Sequence, residues 1–110
     1  VYLNYNDTTF TVAKLVKGNY NYYEAKTFEQ NGWYIPSKME MYTAKFSLSF
    51  FYGVDDKFYW TNEQYSWTNG MNITYYYQTV VYFSKNEFNM AGEYDKEFKI
   101  GLILFKKFAQ

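Results

Sequence analysis

Between Asn62 and Tyr77 the chain reads NEQYSWTNGMNITYYY, a stretch in which aromatic rings are interleaved with amides and hydroxyls. Six of its residues, Tyr65, Trp67, Asn69, Asn72, Tyr75 and Tyr77, combine flat apolar faces with hydrogen-bonding groups. That combination suits the face of a sugar and the surface of a protein alike, because a ring gives wide contact at low entropy cost. If the Tyr75-Tyr76-Tyr77 run is extended, Tyr75 and Tyr77 point together and Tyr76 points the other way, which marks Tyr76 for the core. No Lys or Arg falls between Tyr65 and Tyr77. Binding of single-stranded nucleic acid would want basic residues among the rings, so nucleic acid is set aside as a partner.

Other chemistry is narrowed by what the chain lacks. It has no histidine and no cysteine, which removes the commonest general base, the commonest zinc ligands, thiol nucleophiles and disulfides. Glu24, Glu29 and Glu40 could in principle do acid–base work, but helix caps and solvated faces account for them better. Asp55-Asp56 and Thr61-Asn62 could offer oxygens to a hard cation, yet such sites gather about 6 to 8 ligands around the ion. No catalytic residue, metal or cofactor is therefore expected. Two N-x-T sequons, at Asn6 and Asn72, read as chance.

Length and composition set the frame. At 110 residues the chain is expected to be one domain, 1–110, with a single core. The formal net charge is zero, so no basic field draws nucleic acid. No apolar run approaches the roughly 20 residues that cross a bilayer, and no membrane insertion by this domain is expected. The chain begins at Val1 rather than Met, which reads as a mature product or an excised fragment. Aromatic residues make up 26% of it, with 15 tyrosines. Sheet packing accounts for most of these rings and leaves a surplus for a binding surface.

The elements that would position that surface follow from local signals. Val1 to Leu15 reads as two short strands around a turn at Asn6-Asp7, broken off by Lys17-Gly18-Asn19. Asn21, with Glu24 at the third helical position, caps a helix near Asn21–Asn31 that puts Tyr22, Ala25 and Phe28 on one face; Gly32 ends it. Pro36, the only proline, holds Ile35 extended. Ser37 and Glu40 then form a capping box opening a second helix, Lys38–Phe50, with Met41, Ala44, Leu48 and Phe51 on one stripe. From Lys57 onward the chain reads as strand and loop: KFYWT, then Gln78–Ser84, then a central strand at Ile100–Phe105. Asn62–Tyr77 is the long loop between the first two. Trp33 and Trp60 read as buried scaffold residues. The fold class is α+β, two helices packed on a mostly antiparallel sheet with long loops.

Glu24-Ala25, Gly32-Trp33, Ile35-Pro36-Ser37, Glu40 and Tyr59-Trp60-Thr61-Asn62-Glu63, followed by VVYF and KIGLILF, form a pattern over nearly the whole chain. It resembles the bacterial C-type-lectin-fold domains related to the Fibrobacter succinogenes major paralogous domain. The resemblance implies a C-type-lectin-like fold with adjacent termini. It departs at Tyr34, where an arginine usually follows GW, and at Leu102–Phe105, a closing strand without arginine; apolar packing is expected at both. Sulfatase-modifying relatives depend on cysteine, which is absent, and calcium lectins carry EPN or QPD where Pro36 sits in IPS. The Tyr65–Tyr77 segment is also similar to the variable stretch of retroelement-diversified proteins, although low-GC coding bias enriches the same residue types throughout.

The resemblance thus implies a non-catalytic, extracellular or cell-surface domain, bacterial or phage, presenting an aromatic loop surface to a glycan or protein. The alternatives are a structural or assembly domain of a surface or pilus-like protein, and a retroelement-diversified receptor-binding protein.

Overall fold

A computed structural model describes residues 2–4, 9–54, 56–83 and 89–109. In chain order its elements are β1 (Tyr2–Asn4), β2 (Thr9–Tyr20), α1 (Tyr22–Lys26), α2 (Lys38–Thr43), α3 (Lys45–Tyr52), β3 (Phe58–Thr68), β4 (Thr74–Phe83), β5 (Asn89–Tyr94) and β6 (Ile100–Ala109). The strands form one sheet in the order β1-β2-β6-β3-β4-β5. Pairing is antiparallel except between β3 and β6, so the sheet is mixed but mostly antiparallel. Thr9 pairs with Ala109, so the start of β2 lies beside the end of β6. The Asn6-Asp7 turn lies outside the described residues. No helix among them is long and apolar enough to cross a membrane.

The most apolar strand lies inside the sheet, as its composition demands. Leu102 and Leu104 of β6 point into one cluster with Ala25, Ile35, Trp60, Val80 and Ile100. Ile103 and Phe105 point the other way, into a cluster with Ala13, Met41, Ala44, Leu48, Val81 and Phe83. Alternation of side chains along a strand therefore feeds two half-cores. α2 and α3 cover one face of the sheet, while α1 and the link that follows it cover the other.

In the first half of the chain the strand and helix limits differ from expectation in three places. Lys17-Gly18-Asn19 does not end β2; the strand absorbs it as an irregularity between Val16 and Tyr20, with Gly18 at φ 106°. α1 forms its capping box, Glu24 N donating to Asn21 Oδ1 at 2.8 Å and Asn21 N to Glu24 Oε1 at 3.0 Å, but stops at Lys26. There the Thr27 hydroxyl and the Gln30 amide bond to backbone carbonyls, and Asn31 and Gly32 adopt positive φ. The expected second helix is two, broken at Ala44. The Thr43 hydroxyl donates back to Met39 O at 2.9 Å, a bond that bends helices. Met41, Ala44 and Leu48 still share the buried stripe; the Phe51 side chain is outside the described set.

Pro36 has a more specific task than turning the chain between two helices. Tyr34 and Phe105 exchange backbone hydrogen bonds at 2.8 and 2.9 Å, while Pro36 O accepts from Asn62 N at 3.1 Å. β3 and β6 pair only at Tyr59 and Gly101. The extended link is thus wedged between two diverging strands, and a proline, which offers no N–H, suits a position that only has to accept. Tyr34 fills this place by packing edge-on against Phe105 and donating its hydroxyl to Glu40 Oε2 at 2.7 Å. Ser37 Oγ accepts from Glu40 N at 3.1 Å, completing the expected capping box. Ser37→Ala is expected to cost about 1 kcal/mol in chemical denaturation.

The one close approach of β3 to β6 requires glycine. A Cβ on Gly101 would lie 2.6 Å from Tyr59 Cε1 and 3.1 Å from Phe58 O. Gly101→Ala should destabilise the domain by about 1–3 kcal/mol through overpacking, read as a lowered denaturation midpoint at constant slope.

Candidate functional site

The segment expected as a long loop is a β-hairpin. β3 continues to Thr68 and β4 begins at Thr74, with pairs Gln64–Gln78, Tyr65–Tyr77, Ser66–Tyr76, Trp67–Tyr75 and Thr68–Thr74. Tyr, Trp and Thr have high strand preference, and that preference outweighs the polar residues between them. The two strands leave the body as an arm because their neighbours stop short of it. β5 accompanies β4 only as far as Gln78, and β6 meets β3 only at Tyr59.

A bulge sets the angle of the arm. Three residues of β3, Thr61 to Glu63, lie opposite Thr79 alone. Thr61 is buried; its hydroxyl donates to Thr79 O at 2.8 Å and accepts from Glu63 N at 3.2 Å. The buried Gln78 amide donates to Thr61 O at 2.8 Å. With its buried hydroxyl and amide both partnered, the bulge is a fixed corner that re-aims what lies beyond it.

The tip is equally well built. Asn69 Oδ1 accepts from Met71 N at 2.8 Å and Ile73 N at 3.1 Å, and Asn72 takes a left-handed φ of 62°. Asn is among the few non-glycine residues that tolerate that region. The hydroxyls of Thr68 and Thr74 meet across the strands at 2.9 Å. Asn69 and Asn72 thus sit in the turn, with the Asn69 side-chain oxygen engaged in holding it.

The four ring candidates come together. Residues directly opposite in an antiparallel pair share a face, so Tyr65, Trp67, Tyr75 and Tyr77 form a ladder on one side of the arm. Trp67 and Tyr75 stack with centroids 5.6 Å apart and planes 23° from parallel. Tyr65 is 42% exposed, Trp67 51% and Tyr75 39%; Tyr77, nearest the body, is half-buried. Tyr76 does point to the opposite side, but it is not a core residue: it is 61% exposed. The arm extends past both half-cores, so each of its faces meets solvent. Between Gln64 and Ser84 the sequence carries no charged residue.

Two exposed apolar groups escape the reading of the sequence. Met71 and Ile73 stand at the tip, and Phe46 and Phe50 lie one turn apart on α3, 73% and 83% exposed. The signal for the phenylalanines is present, since residues four apart share a helix face and this pair falls off the Met41-Ala44-Leu48 stripe.

The three candidate carboxylates, Glu24, Glu29 and Glu40, are engaged in the scaffold. Glu24 and Glu40 close the capping boxes. Glu29 accepts from Ile35 N at 2.9 Å; it also pairs with Lys26, whose ammonium donates to it, and this side-chain hydrogen bond raises the Lys26 pKa. Asp56 accepts from the Tyr82 hydroxyl at 3.2 Å; Asp55 lies outside the described residues. No group of three metal-ligating side chains occurs among those described.

Compared with models of protein families, the chain matches none, and no curated protein matches it.

Proposed function

We propose that this is a non-catalytic binding module whose ligand-contacting surface is the ring ladder Tyr65, Trp67, Tyr75 and Tyr77, presented to a glycan or protein at a cell surface. The observation that carries the reading is the ladder itself. Four rings lie on one face of a projecting hairpin, away from both half-cores, where they add little to packing. Exposed clustered rings of this kind are what binding surfaces use. The uncharged run from Gln64 to Ser84 favours a neutral ligand. Neutral sugar rings present C–H faces to Trp and Tyr, and the adjoining Gln, Asn and Thr groups can meet their hydroxyls.

The α+β topology, with the first long strand paired to the last and helices between them, is compatible with the C-type-lectin-like fold. On that reading the bulge and the wedged link hold a rigid platform for the arm. A bacterial or phage surface setting belongs to the same reading, as does diversification of the arm by a retroelement. A structural or assembly role is the second reading, and Phe46 and Phe50 on α3 are the observation that favours it.

A glycan and surface-protein array tests the proposal. Binding to neutral oligosaccharides in preference to sulfated or uronic-acid glycans is expected. Binding confined to acidic glycans, or to none of the arrayed ligands, would count against it.

A further inference from the structure

The face of the sheet covered by α1 also carries two lysines without an acidic partner. Leu104 points to that side, so Lys14, directly opposite it, and Lys106, two places on, do so too. Their ammoniums lie 4.4 and 5.8 Å from the centroid of the Trp33 ring. The Lys106 stem passes Gly32, where a Cβ would stand 3.2 Å from its Cε. Lys26, Lys99 and Lys107 pair with Glu29, Glu24 and Glu40, but among the described residues no carboxylate reaches Lys14 or Lys106. Lys14, Thr27, Phe28, Gln30, Asn31 and Trp33 line a cleft of about 450 Å³, and none of them is acidic. The Gln30 amide nitrogen donates to Thr27 O at 2.9 Å. Its oxygen and the Asn31 side chain have no partner among the described residues.

We propose that this cleft binds an acidic peptide segment, with an Asp or Glu carboxylate seated on the Lys14 ammonium and Lys106 adding charge from the rim. An ammonium has three N–H donors, and lying over a ring does not use them up. The contact with Trp33 therefore holds Lys14 in place and leaves it able to donate. Two cations beside a lining without acid favour an anion. The lining also favours a peptide over an acidic sugar. The Trp33 ring already carries the Lys14 ammonium, whereas a sugar wants a bare ring face such as the ladder offers. The free Gln30 oxygen and the Asn31 amide match the N–H and C=O groups of a peptide backbone, and Phe28 gives its side chain an apolar wall. Lys14 is exposed and Lys106 half-buried, so binding is weak and salt-sensitive. The cleft lies on the body of the sheet, apart from the arm, and does not depend on what the ring ladder binds.

A chemical-shift titration of the labelled chain with acetylated, amidated triglutamate tests this. Saturable shifts are expected at Lys14, Gln30, Asn31 and the Trp33 indole N–H, and none from triglutamine, its neutral isostere. Trigalacturonate, an acidic sugar of equal charge, should bind more weakly. Lys14→Gln should raise Kd about tenfold through loss of a charged hydrogen bond, and Lys14→Arg should restore most of the affinity. Circular dichroism should show both variants folded, since Lys14 is exposed. The absence of saturable shifts at these residues overturns the proposal, as does equal binding of triglutamine or trigalacturonate, or a Lys14→Gln variant that binds like wild type. Replacing Trp67 and Tyr75 with alanine should leave this titration unchanged while removing oligosaccharide binding, so this site and the ring ladder stand or fall separately.

Discussion

Replacing Trp67 and Tyr75 together with alanine is expected to abolish ligand binding while leaving the melting temperature nearly unchanged. The two rings form the stacked centre of the ladder and are 51% and 39% exposed. Losing one aromatic hot spot costs on the order of 2 kcal/mol of binding energy, roughly a 30-fold change in Kd, so losing both should take binding below detection. Neither ring contributes to a half-core, and exposed substitutions usually change stability by no more than about 0.5 kcal/mol. Thermal unfolding and a binding assay on the same preparation separate the outcomes. A double variant that unfolds would mean the stack holds the hairpin together and serves the fold first.

The largest effect on stability is expected at Trp60. Its ring is fully buried between α1 and the sheet, meets Tyr22 edge-on at 5.5 Å, and donates Nε1–H to Tyr20 O at 2.7 Å. Trp60→Ala removes the packing, at about 3–5 kcal/mol, and leaves the Tyr20 carbonyl without that donor, at about 1 kcal/mol more. Against the roughly 5–15 kcal/mol typical of a domain, that is enough to unfold much of the population at moderate temperature. Trp33→Ala should be far milder. Trp33 is half-buried, with Lys14 Nζ 4.4 Å from its ring centroid and Lys106 at 5.8 Å. Its loss should cost about 1–2 kcal/mol through reduced burial and a partly exposed cation–π contact. Urea denaturation of the two variants side by side should rank them; equal midpoints would show that Trp60 is not the anchor its burial indicates.

The two tryptophans show how far the sequence can be read. Both stand in aromatic-rich stretches and both read as buried scaffold, yet nothing local distinguishes a ring inside the sheet from one clamped by lysines at its rim. What can be read is what short-range chemistry decides: the caps at Asn21 and Ser37, the left-handed Gly32, the doubly buried strand around Leu102–Phe105, and the common face of Tyr75 and Tyr77. The arm stays hidden because its strand character depends on pairing between distant segments. Asn62–Thr68 and Ile73–Tyr77 are polar enough to read as a loop until each becomes the other's partner. Tyr76 is misjudged for the same reason. Alternation gives the direction of a side chain, but whether anything lies in that direction depends on where β5 and β6 stop.

Chemical-shift mapping would locate the binding face residue by residue. Isotopically labelled protein would be titrated with neutral oligosaccharides such as cellohexaose, mannohexaose and chitohexaose, with a sulfated glycan as control. Saturable shifts confined to Tyr65, Trp67, Tyr75, Tyr77 and their backbone neighbours, produced by at least one neutral ligand and not by the sulfated one, are the predicted result. Saturable shifts that fall instead on α3 or the body of the sheet would contradict the assignment of the ring ladder as the binding face.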